Sequence, residues 1–277
     1  DLAVIRANAS LGHGIALGYV MAIASLLYLA LAPLPGKVLP RWIGSWILMV
    51  GLLAALSRGP WVGMAVGVCV FVLMSAHRSR DVSRLLGWGA IGFCVLLVSP
   101  YGGTLVNLLP FIGTSDAGGV EYRQQLFEAS LLVMKQNPWF GGGDYIGELA
   151  ALGMVQGEGI VDLVNTYLAV ALTQGLVGLG LFAGVFASAA FGLLSAWRLV
   201  GADSDLHRFG RALLAALAAA LAIIATMSPI LCVPTVYWLL AGLCVAYARL
   251  AKEQTADGLC GMQDLRGPVP RGQTVPV

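Results

Sequence analysis

Charge is what this chain has least of. Of its 277 residues only 11% are charged, against 58% hydrophobic, and the mean hydropathy is +0.84. A soluble domain carries about 25% charged residues. Fourteen acids and sixteen bases cannot solvate a globule of this composition, which excludes a soluble enzyme and a disordered chain. Metal-binding patterns are missing as well. His13, His77 and His207 are far apart and none stands in H-E-x-x-H, while Cys69, Cys94, Cys232, Cys244 and Cys260 form no C-x-x-C pair. No metal site, cofactor or disulfide framework is expected, and the cysteines read as small buried hydrophobes. A net charge of +2 is too small to suggest a nucleic-acid partner.

What the chain has in quantity is long apolar runs. A membrane span needs about 20 apolar residues. The expected fold is therefore all-α, a polytopic transmembrane helical bundle with a large loop outside the membrane that contains an amphipathic helix. Apolar runs at 14–32, 42–56, 61–76 and 85–101 place four spans in residues 1–101. Residues 102–162 form the polar, glycine-rich loop, 163–250 hold three more spans, and 251–277 read as a disordered cytoplasmic tail. The run at 163–197 is too long for one crossing, so Gly175-Leu176-Val177-Gly178 is expected to break it into a short interfacial helix and a true span. Ser228-Pro229 to Pro234 should make a tight turn between the last two spans, 211–227 and 233–250. Twelve of the sixteen basic residues then fall on one face: Lys37, Arg41, Arg78, Arg80, Arg84, Arg198, Arg208, Arg211, Arg249, Lys252, Arg266 and Arg271. The positive-inside rule makes that face cytoplasmic and puts the loop, Arg58 and the N-terminal residues opposite. The chain opens on Asp1 without a signal-peptide pattern, and it reads as the C-terminal part of a longer protein.

The loop carries Asp116, Glu121, Glu128, Asp144, Glu148, Glu158 and Asp162, with Arg123 and Lys135 as its bases. Residues 121–136 place Leu126, Phe127, Leu131, Leu132 and Met134 at roughly helical spacing, as in a helix lying on the membrane. Asn137-Pro138 ends that helix, Trp139-Phe140 can anchor at headgroups, and Gly141-Gly142-Gly143 permits a turn with positive φ. A glycine cluster can also present backbone N–H groups to an anion. Arg58 lies between two apolar runs on the face poor in basic residues. It is either a snorkelling turn residue or a guanidinium that holds an anionic group bidentately. Arg123 belongs to the same face, and two fixed cations converging on one cavity would suit a diphosphate.

These residues resemble a known family. Ser57-Arg58-Gly59-Pro60-Trp61-Val62-Gly63 is similar to the S-R-G segment of the O-antigen ligase/O-antigen polymerase superfamily. Arg123 and the segment from Asn137 to Gly143 resemble the arginine and the N-P-x-x-G-x-G of its periplasmic loop. Val164-Asn165-Thr166-Tyr167-Leu168 and Gln174-Gly175-Leu176-Val177-Gly178 are similar to the H-N-x-Y-L…E-x-G-x-x-G stretch beyond it. Residues 1–17 look like the segment before a middle span.

The resemblance implies a metal-independent glycosyltransferase of the bacterial inner membrane, multi-pass, acting on undecaprenyl-diphosphate-linked glycan, and it makes the large loop at 102–162 periplasmic. Its partners would be that glycan, membrane lipid and other polysaccharide-assembly proteins. The family's diphosphate-binding role carries over to Arg58 and Arg123. In the ligase branch a histidine opens the H-N-x-Y-L stretch, where this chain has Val164. That departure favours a polymerase of O-antigen or exopolysaccharide and leaves the general base open. Asp162 is the first choice, with Glu121 and Glu158 behind it, although Asp162 also suits a helix N-terminus. The expected catalytic residues are Arg58, Arg123 and Asp162. The expected substrate contacts are Glu121, Gly141, Gly143, Asp144, Asn165 and Tyr167, the last two also suiting a helix cap and interfacial packing. The alternatives are a ligase acting on a lipid or protein acceptor, a transporter, and a non-catalytic or truncated component of polysaccharide assembly.

Overall fold

A computed structural model describes residues 14–30, 38–75, 117–155, 159, 161–201, 204–230 and 232–265. Every regular element among them is helical. In chain order they are α1 (Gly14–Tyr28), α2 (Val38–Ala54), α3 (Arg58–Leu73), α4 (Ala117–Gln136), α5 (Tyr145–Ala151), α6 (Thr166–Trp197), α7 (Asp205–Ile224) and α8 (Val233–Leu265). The expected span at 85–101, the bases Arg78, Arg80 and Arg84, the first part of the loop, Glu158 and the tail past 265 lie outside the described residues.

Small residues set the directions of the helices. Gly18 of α1 lies against Pro60 at the start of α3, and Gly67 late in α3 lies against Leu26, so these two helices run the same way. Gly51 meets Met21 and Gly44 meets Tyr28, which brings α2 back antiparallel along α1. Gly63 faces Ile223 and Ala219, and Gly67 faces Ala215, so α7 runs opposite to α3. Trp197 at the end of α6 stacks on His207 at the start of α7, with ring centroids 4.4 Å apart. Tyr247 of α8 meets Gly210 of α7. The result is an up-and-down bundle around the alanine-rich α7, whose Leu213, Leu217, Ile223 and Ile224 are fully buried.

The tightest of these contacts has a lipid-phase logic. Apolar burial gives helices no drive to associate inside hydrocarbon, so close packing over small residues must hold them. Gly59, Gly63 and Gly67 recur every fourth residue on the face of α3 that meets Ala215, Ala219 and Ile223 of α7. The outer surfaces are apolar instead: Ile47, Val50, Leu73, Leu181, Phe191 and Leu239 are all more than half exposed. Such a surface fits lipid rather than water.

Three helices are long and apolar enough to cross a membrane: Thr166–Trp197, Asp205–Ile224 and Val233–Thr255. The first three expected spans are helices too, but shorter, at 15, 17 and 16 residues. At ~1.5 Å per residue they rise roughly 22–26 Å, below the ~30 Å of a hydrocarbon core. The seven expected crossings therefore correspond, among the described residues, to three full-length helices and three shorter ones. α8 also differs from expectation at its end. It continues as helix past residue 250 to Leu265, through the first half of the segment expected to be disordered.

Two breaks shape the end of the bundle that carries Arg58. Between α2 and α3 the chain reverses at Leu56, whose φ is +45, and Trp61 Nε1 donates to Leu52 O at 3.1 Å across the turn. In α6 the expected break is present at Gly175, where φ is +68 and ψ −169. The described bases Arg198, Arg208, Arg211, Arg249 and Lys252 sit toward the opposite end, just past the last turn of α6, on the first turns of α7 and on the later part of α8. There Arg208 pairs with Asp205 at 3.4 Å, and the Arg211 guanidinium lies 3.9 Å from the Phe71 ring centre.

Candidate functional site

α4 is not simply a helix resting on a membrane. Leu126, Ala129, Ser130 and Val133 form its buried stripe, whereas Phe127 and Leu132 are exposed. The stripe packs with Leu149 of α5, Leu163, and Leu168, Ala169 and Leu172 of α6 into a second, smaller core. That core fixes α4 and α5 over the first half of α6.

The glycine segment completes the arrangement. Breaking a helix frees backbone groups that need partners. At Gly175 the loop after α4 supplies them. Gly142 N–H donates to Leu172 O at 2.9 Å, Leu176 N–H to Pro138 O at 2.9 Å, and Val177 N–H to Trp139 O at 3.2 Å. Gly141 has a φ of +74 and Gly175 one of +68. A Cβ on Gly141 would stand 2.6 Å from Leu172 O, and one on Gly175 would run into Trp139 O. Both glycines are required twice over, by backbone angle and by close approach. Gly141 N–H is itself bonded to Asn137 O at 3.0 Å. The Gly142 amide thus serves the helix break and the Gly141 amide the turn after α4, and Gly143 is exposed with open space around it.

Several polar candidates act as caps. Asp144 accepts from Gly147 N–H at 3.2 Å at the start of α5. Asn165 Oδ1 accepts from Tyr167 N–H at 2.9 Å and Leu168 N–H at 3.2 Å, capping α6. Tyr167 points its hydroxyl to Leu221 O of α7 at 2.8 Å. Thr166, fully buried, donates to Met227 O at 2.7 Å. These bonds tie the start of α6 to the end of α7.

Asp162 stands just before that junction and is exposed. Ser228 Oγ lies 2.8 Å from Asp162 Oδ1 and 2.9 Å from Leu163 O, so its one proton has two acceptors in reach. On the other side is Tyr122 of α4, whose hydroxyl donates to Met154 O at 3.3 Å. Burial pushes the Tyr122 phenol above its ordinary range; the Asp162 carboxylate adds to the rise and the Asp162 backbone N–H opposes it. Arg123 follows Tyr122 and is exposed, as is Glu121, whose Oε1 accepts from Gln125 at 3.4 Å. Arg58 is half-buried as the first residue of α3, and its neighbour Gly59 abuts Thr226, two residues before Ser228. Gly59, next to Arg58, therefore meets Thr226, Ser228 two residues on bonds Asp162, and the Asp162 charge reaches Tyr122, while Arg123 joins this series only as the next residue of α4. All lie at one end of the bundle.

Ser228, Thr226 and Tyr122 were not singled out by sequence reasoning. Ser228 is legible there only as part of a turn, and 66 residues separate it from Asp162. Gly59, Gly63 and Gly67 carry a readable signal, the four-residue spacing of glycines.

The exposed apolar surface, the lengths of α6, α7 and α8, and the polar junction at one end define a helical membrane protein with a candidate site at the membrane edge. The family model described as O-Antigen ligase matches residues 43–183, from within α2 to within α6, and the chain belongs to that family. No curated protein matches the chain.

Proposed function

We propose that this protein is a glycosyltransferase of the bacterial inner membrane that polymerises undecaprenyl-diphosphate-linked oligosaccharide repeats at the periplasmic face. The observation that carries the reading is the family match over residues 43–183, which spans Arg58, Arg123, the 137–143 loop, Asp162 and the cap of α6 in one stretch. The placement of Arg58, Asp162 and Arg123 at one end of the bundle, through their neighbours Gly59, Ser228 and Tyr122, supports it, because all three must reach one substrate. The basic end of the bundle, opposite the site, supports a cytoplasmic orientation for that end.

The chemistry is a displacement at the anomeric carbon. The bond from that carbon to the diphosphate breaks, and the diphosphate leaves with the electron pair. The acceptor hydroxyl oxygen forms the new glycosidic bond, and its proton passes to a base. Arg58 and Arg123 stabilise the charge that grows on the leaving group, which lowers the barrier more than it strengthens ground-state binding. Asp162 accepts the proton, and Ser228 orients it through the 2.8 Å bond. Asn165 and Tyr167 frame the acceptor side through the α6 cap and the α7 contact.

A ligase is the second reading, favoured by the description of the matching family itself. Val164, where the ligase branch resembled above has histidine, weighs towards the polymerase. Incubating the purified protein with lipid-linked oligosaccharide and scoring the product decides between them. Longer lipid-linked chains support polymerisation, a capped second acceptor supports ligation, and unchanged substrate with either acceptor overturns both.

A further inference from the structure

Trp139 and Phe140 are the most exposed aromatic pair in the loop after α4, at 64% and 78% exposure. Their position relative to a bilayer can be worked out from the helices. From Leu176 to Trp197 the second half of α6 has about 22 residues and rises ~33 Å, close to the ~30 Å hydrocarbon core. α7, antiparallel to it, has 20 residues from Asp205 to Ile224 and rises ~30 Å. Both helices put one hydrocarbon border near Trp197 and Asp205 and the other near Gly175 and Ile224. The loop is bonded to α6 on both sides of Gly175, through Leu172, Leu176 and Val177, so it sits at that second border.

The surroundings of the pair match such a border. Below it Leu176, Val177, Leu181 and Val185 continue an exposed apolar face along α6. Beside it Thr173, Gln174, Gly143 and Asp144 are exposed and polar or small. An aromatic pair between an apolar face and a polar rim is suited to the interfacial layer of a bilayer, where Trp is enriched.

We propose that Trp139 and Phe140 form a lipid anchor whose depth is fixed by the backbone bonds at the Gly175 break, and that this anchor sets the height of α4 and α5 above the membrane. The occupant is phospholipid at the border of its acyl chains. The proposal rests on the chain spanning a membrane and is independent of the transferase reading, so it can fail or stand alone.

The test replaces Phe140 with photoreactive benzoylphenylalanine in the full chain in native membranes, with the same replacement at exposed Glu128 on α4 as control. Phospholipid adducts at 140 and none at 128 are expected. An adduct to another protein chain, an adduct to a distant segment of this chain, or no lipid adduct at 140 overturns the anchor. Gly175→Ala should abolish the lipid adduct at 140 while the chain stays in the membrane, and an unchanged adduct overturns the depth-setting role. If Gly175→Ala does not accumulate, hydrogen exchange of the wild-type chain reads the same bonds. Slow exchange at Gly142, Leu176 and Val177 supports them, and fast exchange overturns them.

Discussion

Ser228 Oγ stands 2.8 Å from Asp162 Oδ1, so the turn between α7 and α8 holds the carboxylate that precedes α6. If Asp162 is the base, Ser228 is a positioning residue and acts only through it. Asp162→Asn should then lower polymer output by roughly 10²–10⁴-fold, the range for loss of a general base. Ser228→Ala should cost about tenfold, the effect of losing one hydrogen bond to a charged group. The double variant should fall no further than Asp162→Asn. Product chain length from lipid-linked oligosaccharide measures all three, and wild-type output from Asp162→Asn removes it from the base role.

For the arginines the prediction concerns geometry as well as charge. Arg58→Ala and Arg123→Ala should each abolish polymer formation while the protein remains in the membrane. Lysine at either position should rescue poorly, because an ammonium cannot make the planar two-bond contact of a guanidinium with a phosphate. Normal polymer length from an Arg58→Ala strain would contradict the proposed grip on the diphosphate.

Packing of α3 on α7 gives a prediction about stability rather than chemistry. A Cβ on Gly63 would meet the Ile223 side chain and come within 3.0 Å of Ala219 O, a backbone atom that cannot swing away. Gly63→Leu should therefore destabilise the fold by about 1–3 kcal/mol or more through overpacking. Thermal unfolding in detergent should show a lower midpoint, and Gly180→Leu, on a face with open space, should not shift it.

These contacts also show what could be read from the chain directly. The α6 break was legible because 163–197 is too long for one crossing and contains closely spaced glycines. The turn before Arg58 was legible because Ser57, Gly59 and Pro60 interrupt an apolar run. The buried stripe of α4 was not. Its members include Ala129 and Ser130, too small or polar to stand out, while the conspicuous Phe127 and Leu132 face outward. Ser228 was hidden for another reason: a hydroxyl acquires meaning only from its neighbour, and that neighbour is 66 residues away. The glycine segment reads as a possible anion nest, yet the Gly142 amide answers Leu172 O of a broken helix and the Gly141 amide closes the turn on Asn137 O, and the first of these partners is one that no local pattern reveals.

Asn165 offers a way to separate support of the fold from contact with sugar. Its Oδ1 accepts from Tyr167 N–H at 2.9 Å and Leu168 N–H at 3.2 Å, and an aspartate oxygen can do the same. Asn165→Ala removes the cap and should cost about 1 kcal/mol of stability. Asn165→Asp keeps the cap and adds a charge that the helix N-terminus favours, so its unfolding midpoint should equal or exceed that of the wild type. If Asn165 serves only as a cap, the aspartate variant should retain polymer output and the alanine variant should lose it in step with stability. If output collapses in Asn165→Asp while the midpoint holds, the amide N–H group contacts the glycan, and the residue belongs to the acceptor site as well as to the helix.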